Sequence, residues 1–321
     1  MTTMKFILSV AIVPLMLMCL SGCGAVPTEI GRTPTMPPGL PTRTPAPPTA
    51  TPIPPTVTPT GPTPTPMPPL VEIPAGEFAM GSEIGLSDER PVHDVYLDGF
   101  FIDRMEVTNV QFAEFLNEMG NQVEGGENWL DIDDEDCLIF DRAGHFQHKT
   151  GFARHPVIEV TWYGARAYCA WLDSGVPELV RLPTEAEWEK AAGWDPELGE
   201  RLEYPWGNDW IEDNANADWP IMTVTEVAPH TMTVGSNLSG ASPYGALDMA
   251  GNVWEWVADW YDREYYADSP YTNPTGPKTG EEKVVRGGSW RSTNEYARTT
   301  VREHSAPDYT FDIGFRCVTI P

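Results

Sequence analysis

The sequence predicts one α+β domain over residues 71–321, with three helices set among short strands and much irregular chain. Three stretches open on a threonine cap and continue with apolar residues at helical spacing. Around them run apolar–polar alternations too short for helices, broken by Gly, Pro and Asn. All 12 tryptophans fall after residue 70, and a segment of this length can bury one large core without a second domain.

The chain before residue 71 is of another kind. Phe6 to Leu20 is an almost unbroken apolar run behind Lys5. It is short for a membrane span and reads as the core of a signal peptide. Leu20-Ser21-Gly22-Cys23 follows and looks like a bacterial lipobox, in which small residues fit the peptidase and the thiol accepts diacylglycerol. The expectation is a signal peptide over residues 1–22, with Cys23 lipidated and held at the membrane by its acyl chains. Ordinary secretion with an incidental cysteine, or a short uncut anchor, stays open. Residues 23–70 then form a Pro/Thr-rich linker with almost nothing apolar to bury. At ~3.1 Å per residue in polyproline II, such a tether reaches on the order of 100 Å. The expected location is the bacterial cell envelope, outside the cytoplasm.

The net charge is −27. Three basic residues and one acid precede residue 71, so the rest carries 17 basic and 46 acidic residues. That surface repels phosphate backbones and excludes nucleic acid as a partner, while it tolerates cations.

Val71-Glu72-Ile73 and Glu77-Phe78-Ala79-Met80 read as two short strands around a Pro74-Ala75-Gly76 turn, and Val92 to Ile102 continues in strand-like alternation. Thr108 caps a first helix with Gln111 at the capping-box position, and Phe112, Phe115, Leu116 and Met119 form its apolar face. Residues 120–155 are acidic and irregular. The run Asp131-Ile132-Asp133-Asp134-Glu135-Asp136 offers hard oxygens for calcium but lacks the spacing and glycine of an EF-hand loop, and reads as a solvated insertion. His145 and His148 have no further ligand at zinc spacing. Thr161 caps a second helix burying Ala165, Tyr168, Trp171 and Leu172, with Cys169 beside them. Thr184 and Glu187 box a third, whose buried face is Trp188, Ala191 and Ala192. Short strands and turns follow. Gly251-Asn252 suits a turn with positive φ, and Trp254 and Trp256 alternate with Glu255 so that a strand buries both rings on one side. Gly287-Gly288 before Ser289 allows a tight backbone path that Trp290 packs against.

Together these motifs resemble the formylglycine-generating enzyme family, the sulfatase-modifying factor domain. The carriers are Ile73-Pro74-Ala75-Gly76-Glu77-Phe78 with Met80-Gly81, Glu106-Val107-Thr108-Asn109, and Pro156-Val157 with Val160-Thr161-Trp162. Arg181-Leu182-Pro183-Thr184-Glu185-Ala186-Glu187-Trp188, Pro205-Trp206-Gly207 and Gly251-Asn252-Val253-Trp254-Glu255-Trp256 follow. The last are Arg286-Gly287-Gly288-Ser289-Trp290 and Gly314-Phe315-Arg316. Each is weak alone; their joint order is specific. The resemblance covers nearly all of 71–317 and implies the formylglycine-generating-enzyme fold, a single compact domain elaborated from the C-type lectin fold.

The resemblance also implies a disulfide between Cys169 and Cys317, two buried free thiols being the alternative, and leaves Cys137 without a partner. It implies structural calcium held by the side chains of Asp248 and Glu255 and the carbonyls of Gly251 and Val253. A second site begins at Asn216 and the carbonyl of Ala217, with an acidic ligand near Glu226. The family's oxidases convert a sulfatase cysteine to formylglycine using two thiolates that bind copper(I), soft sulfur suiting a soft ion. The first thiolate position is Ser292 here, and Thr293 to Arg298 contains no cysteine. A hydroxyl replaces neither the ligand nor the redox step, so copper and the oxidase reaction are not expected. Ser289 has no adjacent base at recognisable spacing, and His304 reads as a satisfied loop residue.

Three functions follow from these expectations. One is a non-catalytic binding or scaffold module on a membrane tether, with Ser289, Trp290, Ser292 and Arg302 around a pocket for an envelope protein or peptide, or a carbohydrate-like ligand. The second is a formylglycine-generating oxidase. The third is another oxidative enzyme on the same fold, as in relatives that form carbon–sulfur bonds with iron on histidines usually supplied by another domain.

Overall fold

The computed structural model describes residues 69–173, 179–217 and 231–321. The signal peptide, Cys23, the linker up to residue 68 and Glu226 lie outside the described residues. Among those described, no helix is long and apolar enough to cross a membrane.

The opening strands form where alternation places them, as β1 (Leu70–Ile73), β2 (Gly76–Met80), β3 (His93–Leu97) and β4 (Phe100–Asp103). The Pro-Ala-Gly turn separates them into different sheets. β2 pairs antiparallel with β3, and β1 with β4, Val71 opposite Ile102. α1 (Asn109–Met119) begins at the predicted cap, where Thr108 N–H donates to Gln111 Oε1 at 2.9 Å. It buries Phe112, Phe115 and Leu116; Met119, its last residue, is exposed, contrary to the periodicity.

The acidic stretch contains two small hairpins, β5 (Val123–Glu124) with β6 (Glu127–Asn128), and β7 (Ile139–Asp141) with β8 (Phe146–His148). α2 (Trp162–Leu172) is capped by Thr161 Oγ1, which accepts from Gly164 N at 3.2 Å. It buries Ala165, Tyr168 and Cys169, while Trp171 and Leu172 pack half-buried against the same core. β9 (Val180–Arg181) leads into α3 (Glu185–Gly193), whose box is complete: Thr184 N donates to Glu187 Oε2 at 2.8 Å, and Glu187 N to Thr184 Oγ1 at 3.2 Å.

α3 departs most from its reading as an amphipathic helix, because every one of its residues is buried. Its polar side is closed by ion pairs. Arg286 reaches Glu185 at 2.9 Å and Glu189 at 2.7 Å, and Arg302 reaches Glu185 at 2.7 Å. Lys190 Nζ donates to the carbonyls of Pro74 and Gly76, both at 2.9 Å. Buried charges persist only when neutralised and hydrogen-bonded in this way.

After a two-residue pair, β10 (Trp194–Asp195) with β11 (Glu200–Arg201), the second half builds one further sheet. Its order is β14-β13-β12-β15, from β12 (Trp254–Trp260), β13 (Lys283–Arg286), β14 (Glu303–Ser305) and β15 (Ile313–Gly314). On β12 Trp256 is fully buried and Trp254 only partly. Glu255, which alternates with them, is buried as well. The last strand, β16 (Val318–Thr319), inserts between β4 and β9. Cys317, just before it, is disulfide-bonded to Cys169 of α2, with Cα atoms 5.8 Å apart. The chain end is thus tied both to the opening strands and to α2.

Candidate functional site

Beyond β13 the backbone turns through Gly287 (φ 94°) and Gly288 (φ 77°), a region that side chains disfavour. Space forbids side chains as well. A Cβ on Gly287 would lie 3.1 Å from the Trp188 ring, and one on Gly288 would lie 3.3 Å from both Ser292 Cβ and Ala297 Cα. Ser289 is thereby delivered to the floor of a cavity of about 440 Å³. Its N–H donates to Ser292 Oγ at 2.9 Å, its hydroxyl donates to Asp312 Oδ2, and Arg291 N–H donates to its Oγ at 3.2 Å. Burial pushes the Asp312 carboxyl up, with the Ser289 hydrogen bond pulling the other way. Trp254, Tyr296 and Tyr309 supply aromatic wall, and Arg291, Glu303 and His304 add polar side chains to the lining.

Two of the four pocket residues expected from sequence, Ser289 and Ser292, line this cavity. The other two do not. Trp290 packs beneath, against Leu138, Ile158 and Val253, and Arg302 is buried on Glu185 with its guanidinium 4.1 Å from the Tyr266 ring centroid. Trp290 and Arg302 support the floor and do not face the cavity. Asp312, Glu303, Tyr296 and Tyr309 were missed. Their only sequence signal was proximity to the Gly-Gly-Ser and Gly-Phe-Arg motifs, which says nothing of direction.

Among the described residues, no thiol lines the cavity. Cys137 is buried elsewhere, donating to Ile139 O at 3.3 Å, and burial pushes its thiol up to about 12. The Ser289 hydroxyl has the Asp312 carboxylate as its acceptor, and no histidine among the described residues is hydrogen-bonded to it. His304 pairs through Nδ1 with Glu282 at 2.9 Å, and its ring stacks on Tyr261 at 3.9 Å.

The calcium residues of the resemblance gather on the other side of β12. The Gly251-Asn252 turn takes positive φ, 85° and 65°. Asn216 lies against it, its carbonyl accepting from Asn252 N at 2.8 Å, so the two expected calcium loops, the second including Ala217, meet at one place. Glu255, expected as a calcium ligand, carries a set of protein hydrogen bonds in this structure. Its oxygens already accept from Arg316 Nε and Nη2, at 2.7 and 2.6 Å, and from Trp188 Nε1 at 2.9 Å. Asp248 accepts from Gly235 N and faces Glu106, whose Oε2 is buried with no donor. Burial, then the Asp248 charge, push Glu106 well above the carboxylate range. A hard cation fits this pair, with Glu106 as the acid that still needs charge. Among the described residues, no three His, Cys, Asp or Glu side chains already enclose a metal position.

Residues 56–320 match the family described as the sulfatase-modifying factor enzyme 1-like domain. The formylglycine-generating enzyme of Streptomyces coelicolor is 35% identical, over 77% of this chain and 88% of its own. A protein named serine/threonine-protein kinase pkn1 from Chlamydia pneumoniae is 40% identical over 77% of this chain; the chain spans only 37% of that protein's length. Among solved structures, PvdO from Pseudomonas aeruginosa superposes with a TM-score of 0.59 at 27% identity, covering 78% of this chain and 94% of that one. The sheet pair, the Gly-Gly-Ser turn and these likenesses agree, and the chain belongs to the sulfatase-modifying factor enzyme 1-like domain family.

Proposed function

We propose that this domain is a non-catalytic binding module, displayed outside the cytoplasm on a lipid anchor at Cys23 and the Pro/Thr-rich linker. The observation that carries the reading is the cavity floor. Where the resemblance puts the first copper thiolate stands Ser292, and its hydroxyl is committed to Ser289 N–H. Ala297, from the stretch expected to hold the second, comes against the same glycine. What remains is an open cavity of hydroxyls, two tyrosines, a tryptophan edge and opposed charges, chemistry that grips a polar ligand such as an envelope peptide or a carbohydrate. The alternative, a formylglycine-generating oxidase, draws support from the 35% identity to the Streptomyces enzyme. It has to do without a thiol among the described residues of this cavity.

Calcium belongs to this reading as a structural ion. Asp248 and Glu106, with the carbonyls of Gly251 and Val253, would hold it, and Asn216 and Ala217 flank the position. It would supply the positive charge that two buried carboxylates need.

The test is binding to a panel of envelope-derived peptides and glycans by the full chain. The reading expects retention of one class without chemical change. It expects loss of that retention in Thr293→Trp, which fills the cavity from an exposed position. A chemically altered ligand, or retention indifferent to that substitution, contradicts it.

A further inference from the structure

The two acids that line the cavity floored by Ser289 have no cation of their own. Among the described residues, neither Asp312 nor Glu303 has an ion pair. Asp312 accepts from the Ser289 hydroxyl, and Glu303 accepts from the N–H of His304. Both partners are dipoles and leave the charge in place. Burial pushes both carboxyls up. The cations of the lining are turned elsewhere. The Arg291 guanidinium stands 4.8 Å from the centroid of the Phe311 ring and acts on Asp312 only through space. His304, whose charge bears on Glu303, gives its Nδ1 to Glu282 at 2.9 Å. A neighbouring cavity of about 380 Å³ shares Tyr309 with this one and is lined by Glu127, Asp131 and Asp308, with no basic residue among those described. A concave face of one sign concentrates ions of the other.

We propose that the cavity takes an ammonium group, carried by a lysine side chain or a free polyamine, with Asp312 and Glu303 as its counter-ions. This rests on the binding-module reading and names the group that such a module holds. Trp254, Tyr296 and Tyr309 line the same space, and the face of an aromatic ring attracts a cation. The volume, about 440 Å³, falls within the range of ligand pockets. A guanidinium suits the space less well. It grips a carboxylate through two parallel N–H groups. Asp312 has one oxygen on the Ser289 hydroxyl, and its own backbone N–H meets the same carboxylate. An ammonium is a point charge and needs a single free oxygen. The domain holds one of its own ammonium groups by this chemistry. Lys283 Nζ lies 3.9 Å from the Trp162 ring centroid and 3.8 Å from that of Trp260, and it donates to Ala258 O at 2.7 Å.

Titration of the full chain, followed by saturation-transfer NMR, tests this with spermidine and with blocked Gly-Ser-X-Ser-Gly peptides, X being lysine, arginine, acetyl-lysine or glutamate. The lysine peptide or spermidine is expected to bind at least ~10-fold tighter than the acetyl-lysine and glutamate peptides, as loss of a charged partner costs that much. Which of the two binds names the source of the ammonium. The arginine peptide is expected to bind more weakly than the lysine one. Glu303→Gln, which keeps an oxygen for the His304 N–H, is expected to lower affinity at least ~10-fold. Asp312→Asn is expected to do the same; if it fails to fold, Glu303→Gln decides alone. Absence of binding by both lysine peptide and spermidine overturns the proposal, as does equal binding of acetyl-lysine or indifference to Glu303→Gln. An uncharged peptide or glycan whose retention is lost in Thr293→Trp but kept in Glu303→Gln overturns this inference alone and leaves the binding-module reading standing.

Discussion

Arg316 and Glu255 face each other as a fully buried bidentate pair, Nε to Oε2 at 2.7 Å and Nη2 to Oε1 at 2.6 Å. The same guanidinium donates to the carbonyls of Asp103 and Leu247, at 3.1 and 2.9 Å. One side chain of the Gly-Phe-Arg motif thus holds together β4, the Asp248 loop and the Trp-Glu-Trp strand. Removing one partner of such a pair strands a charge in the core. Arg316→Met is therefore expected to lose about 3–5 kcal/mol, read by urea unfolding. Arg316→Met/Glu255→Met is expected to be less damaging than that single change. Arg316→Lys does not rescue, because an ammonium cannot span both oxygens.

The Cys169–Cys317 bond closes a loop with a sequence separation of 148. Loop-closure entropy puts its contribution at about 5 kcal/mol. Cys169→Ala/Cys317→Ala is expected to lower stability by an amount of that order in denaturant unfolding. A loss below about 1 kcal/mol contradicts the entropic account.

Stability also depends on pH through buried acids. Burial, then the Glu185 charge, raise Asp259 to about 7, and burial raises Asp103 to about 7. A carboxyl whose folded pKa lies above its unfolded value favours the fold while protonated. Its contribution is full below pH about 4 and is lost as pH rises through about 7. Asp259→Asn keeps an oxygen for the Glu185 N–H and removes the titration. It is expected to flatten the decline in unfolding free energy between pH 5 and pH 8, measured by urea titration at each pH.

Ser292 and Ala297 come together over Gly288, each 3.3 Å from the position a Cβ would take there. Ser292→Cys/Ala297→Cys is therefore expected to gain copper(I) affinity over the wild type, measured by competition with a chromogenic chelator. No gain means that the turn no longer presents the two positions to each other.

What the sequence disclosed, and what it withheld, divides by range. The helix starts were legible because their signals lie within three residues, as in Thr108 with Gln111 and Thr184 with Glu187. The Gly287-Gly288 turn was legible because only glycine suits it. The burial of α3 was not, since Glu185 is neutralised by Arg286, 101 residues away, and by Arg302, 117 residues away. The same holds for the buried pairing of Glu255 with Arg316, 61 residues away. Arg302 looked like a pocket residue for want of its partner. Asp312, the acid that holds Ser289, sits in no motif at all. Local chemistry marked the elements; the pairing of distant charges decided which motif residues support the fold and which face the cavity.

The central claim is that this domain keeps the family's cavity without its oxidase reaction. The most direct test is to reconstitute the full chain with copper(I), supply oxygen and a cysteine-containing sulfatase peptide, and follow the peptide by mass spectrometry. The account predicts unchanged cysteine, at the level of an enzyme-free control. Appearance of the aldehyde product, formed in proportion to added protein, would contradict it.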